Sequence, residues 1–362
     1  MYIAFQKKVM KNSWIYLICI SLCIGCIENK NIFNSIEITF ENFEKELLLQ
    51  SNVVPLDTTV MGISSIFLVD RFLLFLHSNR SSPYFFSVYD IKLNKFAGRF
   101  LNRGRGPSEF ISLAFDGEYT LQNGENWLYL SAINEQQLYK FNLTSFLQSG
   151  ISIMQLLYEY EGLQMRTRVL NDTTFLAYMF TQDKEGLRVF YRKFFSTSDN
   201  KIEIDLLKHH VHNYEEFDVL WTAQHIRPDK KKMALAMDQI NRVHIIDLDD
   251  SETNISITPK GQYFVSLKEL SQEEPLMTTT YYTDVKTTQD YIFALFQNQL
   301  FADLRTKPTK PEIHVFDWDG VPLYKLHFEE RLRGICIDTV NKLMYGYDDY
   351  EIVYQYDLSQ IL

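Results

Sequence analysis

The sequence predicts an all-β fold, a six-bladed β-propeller of four-stranded antiparallel blades that is closed by an N-terminal strand. A short strand pattern recurs six times, and the strand-forming residues Tyr and Phe are abundant, at 22 and 27 copies. A long 3.6-residue period and a glycine-rich phosphate turn are both missing from the sequence, which argues against helical-bundle and dinucleotide-binding folds. A closed all-β fold often occupies one large domain, so 362 residues fit a single propeller.

The repeated unit is an alternating apolar strand that ends on Asp or Asn and is followed by a polar turn. Two further strand-like runs precede each copy, as Ile63–Val69 and Phe72–His77 precede the first. Three strands and a shorter fourth in about 50 residues are typical of a propeller blade. The copies end 52, 54, 51, 70 and 40 residues apart, at Asp90, Asn142, Ser196, Asp247, Asp317 and Asp357.

The two ends of the chain predict ring closure. The sixth copy stops at Leu362, just after its third strand, so its outer strand must come from elsewhere. Either Ser35–Phe40 or Leu47–Leu56 is expected to fill that place and to cover an exposed strand edge. The alternative is that the N-terminal segment is only a tether. Two insertions, 257–282 and 297–311, account for the 70-residue interval, and the second ends in a basic, proline-rich stretch that is either functional or merely mobile.

The N-terminus has the pattern of a secretion signal. Three lysines precede Trp14–Ile24, an apolar run of eleven residues that is too short to cross a bilayer as a helix. The run leads into Cys23-Ile24-Gly25-Cys26, which resembles a bacterial lipobox and implies lipidation of Cys26. A cleaved signal without lipid and a plain membrane anchor remain the alternatives, and translation starts at either Met1 or Met10. The predicted organisation is a signal peptide over 1–25, a polar tether over 26–34 and a propeller over 35–362.

The composition and the predicted cellular location limit the binding partners that we expect. The formal net charge of −10 disfavours general attraction to nucleic acid. An acylated N-terminus would hold the protein on a lipid bilayer in the cell envelope, at the outer membrane, either on its periplasmic side or at the cell surface. We expect a monomer.

The loop between the first and second copies carries a family resemblance. It resembles the G-x-GPGEF loop of the TolB-like six-bladed propeller lipoproteins of Bacteroidetes, although Ser108 replaces the usual glycine. The resemblance also takes in the signal, the number of blades and the length. It implies the architecture and the envelope address, and most members of that group have no assigned activity. The matching residues are Gly104, Gly106, Pro107, Glu109 and Phe110.

The same loop supplies the predicted ligand site. Arg103 and Arg105 flank the turn, and connections between blades lie on the propeller face where ligands usually bind. The two guanidinium groups could therefore hold a carboxylate, phosphate or sulfate. Glu109 is expected to hydrogen-bond the turn backbone or to pair with one of the arginines. The alternative is that this turn only locks the first blade to the second.

Candidate metal ligands occur in two places. His209, His210 and His212 lie in the connection between the third and fourth copies, but adjacent histidines on an extended loop rarely converge on one ion. A hairpin near 348–351 carries three carboxylates without the spacing of an EF-hand. We therefore assign no metal site and name the three histidines only as candidates.

The expected function is that of an envelope-anchored, non-catalytic binding or scaffold protein. One propeller face would recognise a protein, peptide or glycan of the cell envelope, without a cofactor. No nucleophile motif is present, and Cys336 lies in an apolar strand as a core thiol would. The alternative is a metal-dependent hydrolase like the lactonase branch of six-bladed propellers, which would place Ca²⁺ in the central channel.

Overall fold

A computed structural model describes residues 31–56, 60–78, 82–106, 109–160, 166–262, 266–307 and 309–362. Residues Ile32–Leu362 form one compact unit. The signal peptide and Cys26 lie outside the described residues, as do Pro107 and Ser108 of the interblade loop.

Six sheets follow one another along the chain, which confirms the predicted six-bladed propeller. The N-terminal segment supplies β1 (Ile36–Phe40), β2 (Lys45–Leu48) and β3 (Ser51–Val53). Blade 1 contains β4 (Ile63–Val69), β5 (Phe72–His77), β6 (Tyr84–Asp90), β7 (Lys95–Arg103) and β8 (Glu109–Phe110). Blade 2 contains β9 (Tyr119–Gln122), β10 (Glu125–Ala132), β11 (Gln137–Asn142) and β12 (Met154–Glu159).

The other four blades follow the same order from the central channel outward. Blade 3 contains β13 (Arg166–Asn171), β14 (Thr174–Gln182), β15 (Leu187–Phe195) and β16 (Ser198–Asp205). Blade 4 contains β17 (Thr222–Ile226), β18 (Lys232–Met237), β19 (Val243–Asp247) and β20 (Ile255–Pro259). Blade 5 contains β21 (Thr279–Thr287), β22 (Tyr291–Leu300), β23 (Glu312–Asp317) and β24 (Pro322–His327). Blade 6 contains β25 (Leu332–Asp338), β26 (Leu343–Asp348) and β27 (Val353–Asp357).

The burial pattern explains why the sequence periodicity differs among the strands of a blade. The second strands β5 and β18 are buried on both faces, because each blade packs between two neighbours, and they read as continuous apolar runs. The fourth strand β7 alternates exposed and partly buried residues, since it forms the outer part of blade 1. Burial of these apolar faces between blades is the main stabilising contribution to the ring.

The N-terminal segment closes the ring and then covers more of it than predicted. Of the two segments expected to complete the sixth blade, the second does so, because Ser51–Val53 pairs antiparallel with β27. Ile36–Phe40 instead adds a fifth, parallel strand to blade 4, and Lys45–Leu48 adds one to blade 5. Blade 1 also gains a short parallel fifth strand, β8. The expectation of four strands therefore holds for blades 2, 3 and 6.

The predicted tether enters the fold before residue 35. Phe33 is buried and forms an isolated bridge with Leu207, next to the last strand of blade 3. The described chain thus runs along the outer edges of blades 3, 4, 5 and 6 in turn, and in doing so it covers strand edges that would otherwise be open.

The two predicted insertions contain short helices and are shorter than expected. The structure assigns 257–259 to β20 and 279–282 to β21, and it assigns 297–300 to β22. The four helices of the described chain are short: α1 (Leu143–Ser149), α2 (Tyr214–Asp218), α3 (Leu267–Ser271) and α4 (Asp303–Thr306). Helical turns at 251–253 and 275–277 are 3₁₀.

The antiparallel order of each blade defines two faces. The connections from a fourth strand to the next blade lie on the same side as those between second and third strands, because the strands alternate in direction. We call this side the loop face. The connection carrying Arg103 and Arg105, and the one carrying the three histidines, both lie on it.

Candidate functional site

Two cavities occupy the centre of the ring on the side of the loop face. The deeper one, here the channel cavity, has a volume of about 410 Å³ and is lined by residues of the inner strands of five blades. The outer one, the mouth cavity, has a volume of about 500 Å³ and opens among the connections of the loop face. Arg166, Trp221, Ala223 and Thr283 line both cavities, so the two form one continuous funnel.

The deep part of the funnel is built around Arg168. Its side chain is only 3% exposed, and Nη1 donates to Glu118 Oε1 at 2.7 Å while Nη2 lies 3.4 Å from Asp116 Oδ1. Nη2 also donates to the carbonyl oxygen of Gln224 on blade 4 at 2.8 Å. Burial by itself would lower the pKa of Arg168, but the two carboxylates more than offset this and raise it. Arg168 therefore joins blades 2, 3 and 4 as a compensated charge.

An interruption of the first strand of blade 2 aims these carboxylates. The chain bridges Ala114 to Ser131, departs from the sheet, and resumes pairing at Tyr119. Gly117 within this interruption has a φ of +94°, a left-handed conformation that a side chain would strain. The bulge turns Asp116 towards the channel, where it lines the channel cavity.

A second ion pair lies in the channel cavity on blade 5. Lys286 Nζ is 2.6 Å from Asp284 Oδ1, and Asp284 Oδ2 accepts a hydrogen bond from the backbone N–H of Ile335 at 2.9 Å. The carboxylates of the channel that a calcium-dependent hydrolase would need are thus held by cations and backbone donors. Within the described part of the chain, no three His, Cys, Asp or Glu residues are grouped so that they could hold a metal ion.

The mouth of the funnel contains an arginine with different surroundings. Arg166 starts β13, and its Nη1 donates to the carbonyl oxygen of Thr222 at 2.8 Å. Its guanidinium carbon lies 4.1 Å from the centroid of the Trp221 ring, a cation–π contact. Among the residues that the structure describes, no carboxylate lies within ion-pair distance of Arg166. Burial lowers the pKa of Arg166, and the charge of Asp116 offsets only part of that effect.

The carboxyl group of Asp238 also lines the mouth cavity. Burial raises its pKa to about 6, although a hydrogen bond from Thr280 acts in the opposite direction. No described cation pairs with this carboxyl group. The mouth therefore contains a guanidinium and a carboxyl group that have no ion-pair partner among the described residues, whereas Arg168 and Lys286, deeper in the channel, are paired.

The loop face exposes more large apolar side chains than the opposite face, and two of them line the mouth cavity. Trp221 and Phe301 line the mouth cavity and are 48% and 52% exposed. Ten of the large hydrophobic side chains exposed in the described structure lie in loop-face connections, against five in the connections of the opposite face. Exposed apolar side chains gathered at one place mark a binding surface more often than scattered ones do. The ten are Met61, Ile111, Ile133, Tyr214, Trp221, Leu276, Met277, Phe301, Tyr350 and Ile352.

The predicted ligand site lies on the loop face but outside the funnel. Arg103 donates through Nη2 to the carbonyl oxygen of His77 and stacks 3.9 Å above the Phe85 ring, so its guanidinium is used within blade 1. Arg105 is exposed. Neither arginine lines the channel cavity or the mouth cavity.

Glu109 lies against the interblade turn. Its Oε2 accepts a hydrogen bond from the backbone N–H of Gly106 at 2.8 Å, one of the two contacts expected for this carboxylate. A Cβ atom at Gly104 would overlap the Glu109 carboxylate and displace it from its hydrogen bond to Gly106. The contacts of the described part of this loop are thus those of a turn that fixes blade 1.

The three candidate histidines do not share one site. His210 lies 3.3 Å from Asp183 and 3.5 Å from Glu185, and His212 Nδ1 lies 3.1 Å from Glu216. The carboxylates of the 348–351 hairpin are also used separately. Asp348 accepts backbone N–H groups of its own turn, while Asp349 pairs with Arg331 and Arg333.

Arg166, Trp221 and Asp238 were not predicted as site residues from the sequence. Arg166 is the first residue of a strand that lines the channel, and Arg168 follows it on the same face. Two arginines at alternate positions of one short strand were a usable signal. The third copy of the repeat is the most divergent, so the sequence did not show clearly where its first strand begins.

The chain matches a family model described as TolB-like 6-blade propeller-like over residues 42–340. The chain belongs to this family. The match spans most of this TolB-like propeller and confirms the resemblance seen in the sequence.

Two solved structures share the fold of this TolB-like propeller. One comes from Bacteroides fragilis NCTC 9343 and is named as an exported protein. It is 15% identical, with a TM-score of 0.55 over 89% of this chain and 98% of that one. The other is a member of the DUF4221 family from Bacteroides vulgatus ATCC 8482. It is 12% identical, with a TM-score of 0.54 over 85% and 97% of the two chains.

The remaining comparisons add two findings. No curated protein matches the chain. In the described residues, no helix has both the length and the apolar character that crossing a membrane requires.

Proposed function

We propose that this TolB-like propeller is a non-catalytic binding protein of the cell envelope that uses its loop face to recognise a protein, peptide or glycan. The observation that carries the proposal is the mouth cavity, an opening of about 500 Å³ with Trp221 and Phe301 exposed at its wall. Cavities of this size with aromatic walls and a few polar groups are the usual form of ligand sites.

The chemistry of the funnel supports binding over catalysis. Apart from Arg166, the charged groups that line the channel cavity are engaged in ion pairs: Arg168 with two carboxylates, and Lys286 with Asp284. The buried thiol of Cys336 has a raised pKa because burial disfavours the thiolate, which makes it a poor nucleophile. The proposed function needs no cofactor.

The proposed address is the cell envelope, with the protein held at the outer membrane by a lipid on Cys26. The sequence supports it through the lysine-rich, apolar N-terminus, and the related fold from Bacteroides fragilis carries the name of an exported protein. Either the periplasmic side or the cell surface is compatible with this anchor.

The anchor is tested by growing cells with an alkyne-labelled palmitate and measuring label on the purified protein. We expect label on the wild type and none on Cys26→Ala, which should also move from the detergent phase to the aqueous phase in a Triton X-114 partition. Equal labelling of both proteins would contradict lipidation at Cys26.

The binding role is tested with glycan arrays and a displayed peptide library. Leu276→Asp and Phe301→Asp place a charge on the loop face, while Val340→Asp places the same charge at a more exposed apolar site on the opposite face. We expect the two loop-face variants to lose at least about tenfold in affinity for any selected binder, and the Val340 variant to match the wild type. Equal loss in all three, or none, would contradict recognition through this face.

A further inference from the structure

The mouth of the funnel contains an arginine, Arg166, for which the described residues supply no ion-pair partner. Taking a guanidinium out of water is costly unless an anion or several hydrogen bonds replace the water. Arg168 has both, with two carboxylates and a carbonyl oxygen. Arg166, two residues away on the same strand face, has one carbonyl oxygen, Thr222 O, and the Trp221 ring.

The surroundings of Arg166 fix its orientation while leaving donors available. The Trp221 ring covers the planar guanidinium, and the bond to Thr222 O uses one of its five N–H groups. The residue lines both the channel cavity and the mouth cavity. A guanidinium held in this way offers a planar fork that matches the two oxygens of a carboxylate.

The charge of the mouth favours a monoanion. Arg333, which also lines the mouth cavity, is already paired with Asp349 at 3.3 Å, so Arg166 is the cation without an ion-pair partner among the described residues of this wall. Asp238 adds an acid to the same cavity. A dianionic phosphate would need a second free cation and would be repelled by that acid once it ionises, whereas a single carboxylate is balanced by one guanidinium.

We propose that Arg166 is the anchor of a carboxylate-binding site, and that the ligand is a small ring-bearing carboxylate whose ring packs against Trp221 and Phe301. This rests on the proposed binding function and names the ligand class of the same face. The mouth cavity of about 500 Å³ accommodates a ligand of one or two rings. Two kinds of ligand have this chemistry: a peptide whose C-terminal residue is aromatic, and a sugar acid.

Two probe pairs distinguish these sources by isothermal titration calorimetry. N-acetyl-phenylalanine is compared with its amide, and glucuronate with glucose. We expect at least one acid to bind about tenfold or more tightly than its neutral partner, because an uncharged group cannot form the charge-assisted pair. The better pair identifies the source. If neither acid is preferred by the wild type, or if inorganic phosphate binds more tightly than both acids, the proposal is wrong.

Variants locate the site. Arg166→Gln should remove the preference for the acid, Arg166→Lys should retain part of it, and Arg105→Gln, which removes an exposed loop-face arginine outside the funnel, should leave it unchanged. Folding is checked by near-UV circular dichroism. If Arg166→Gln does not fold, protection of Arg166 from phenylglyoxal by the acid, read by mass spectrometry of the wild type, replaces it. Undiminished preference in a folded Arg166→Gln, or no protection, overturns the proposal.

The experiment also separates this inference from the proposed function. If the loop-face variants Leu276→Asp and Phe301→Asp abolish recognition of a selected binder while no acid is preferred over its neutral partner, the face is a binding surface and the carboxylate site is wrong.

Discussion

Arg166 and Arg168 occupy alternate positions on the same face of one strand, and both donate to backbone carbonyl oxygens of blade 4. Only Arg168 is also paired with carboxylates, supplied by blade 2. The lower arginine therefore contributes to the assembly of three blades, while the upper one faces a cavity. The difference teaches that charge alone does not identify a binding residue in a propeller channel, because the presence or absence of an internal counter-ion decides its role.

The largest effect on stability is expected when the guanidinium of Arg168 is removed, and removal of the Arg166 guanidinium is the matched comparison. Arg168→Met should destabilise the protein by about 3–5 kcal/mol, because it leaves Glu118 buried without its cation. Arg166→Met should change stability by no more than about 1 kcal/mol, since the lost hydrogen bond is offset by removal of a partly buried charge that has no ion-pair partner among the described residues. Urea unfolding at pH 7 measures both. Equal losses for the two variants would break the comparison.

The carboxyl group of Asp238 in the mouth cavity provides a second test, because it makes stability depend on pH. The pKa of Asp238 is raised to about 6 from an ordinary value of 3.8, so the folded protein holds this proton more tightly than the unfolded chain. Stability is unaffected below about pH 4, is lost as pH rises between 4 and 6, and is lower by up to about 3 kcal/mol above that range. Asp238→Asn should remove this loss.

Asp238→Asn should therefore gain stability relative to the wild type as pH rises, by about 2 kcal/mol between pH 4.5 and pH 8. Titration of buried histidines such as His244 also changes stability with pH, but it contributes equally to both proteins and cancels in the difference. Urea unfolding of the two proteins from pH 4.5 to 8 measures it. A difference that does not change with pH would show that Asp238 is not desolvated in the mouth.

The smallest effects are expected in the interblade turn, where the sequence placed the ligand site. Glu109→Ala should cost about 1 kcal/mol, because Gly106 loses the acceptor of its backbone N–H. Arg105→Ala should change stability by less than about 0.5 kcal/mol, since the side chain is exposed. Thermal unfolding separates the two variants. If Arg105→Ala is instead the costlier substitution, this loop has a role that its described contacts do not explain.

The repeat was legible in the sequence because strand burial follows local patterns. Ile63–Val69 and Phe72–His77 were predicted with the bounds that the structure shows. Closure by the N-terminus was also predicted, since the last copy lacks an outer strand. The use of Ile36–Phe40 on blade 4 was not, because an alternating strand carries no information about which sheet edge it will join.

What the sequence determined by itself is therefore the architecture: six repeats, a closed ring and the family to which the chain belongs. These follow from periodicity within about 50 residues, which is a local property. Only the tertiary structure decided which charges are compensated. Asp116 and Glu118 reach Arg168 from about 50 residues away, and Trp221 reaches Arg166 from a similar distance. Such pairings depend on the radial packing of neighbouring blades. The sequence alone therefore does not distinguish Arg166 from Arg168, whereas the contacts between blades in the closed ring do.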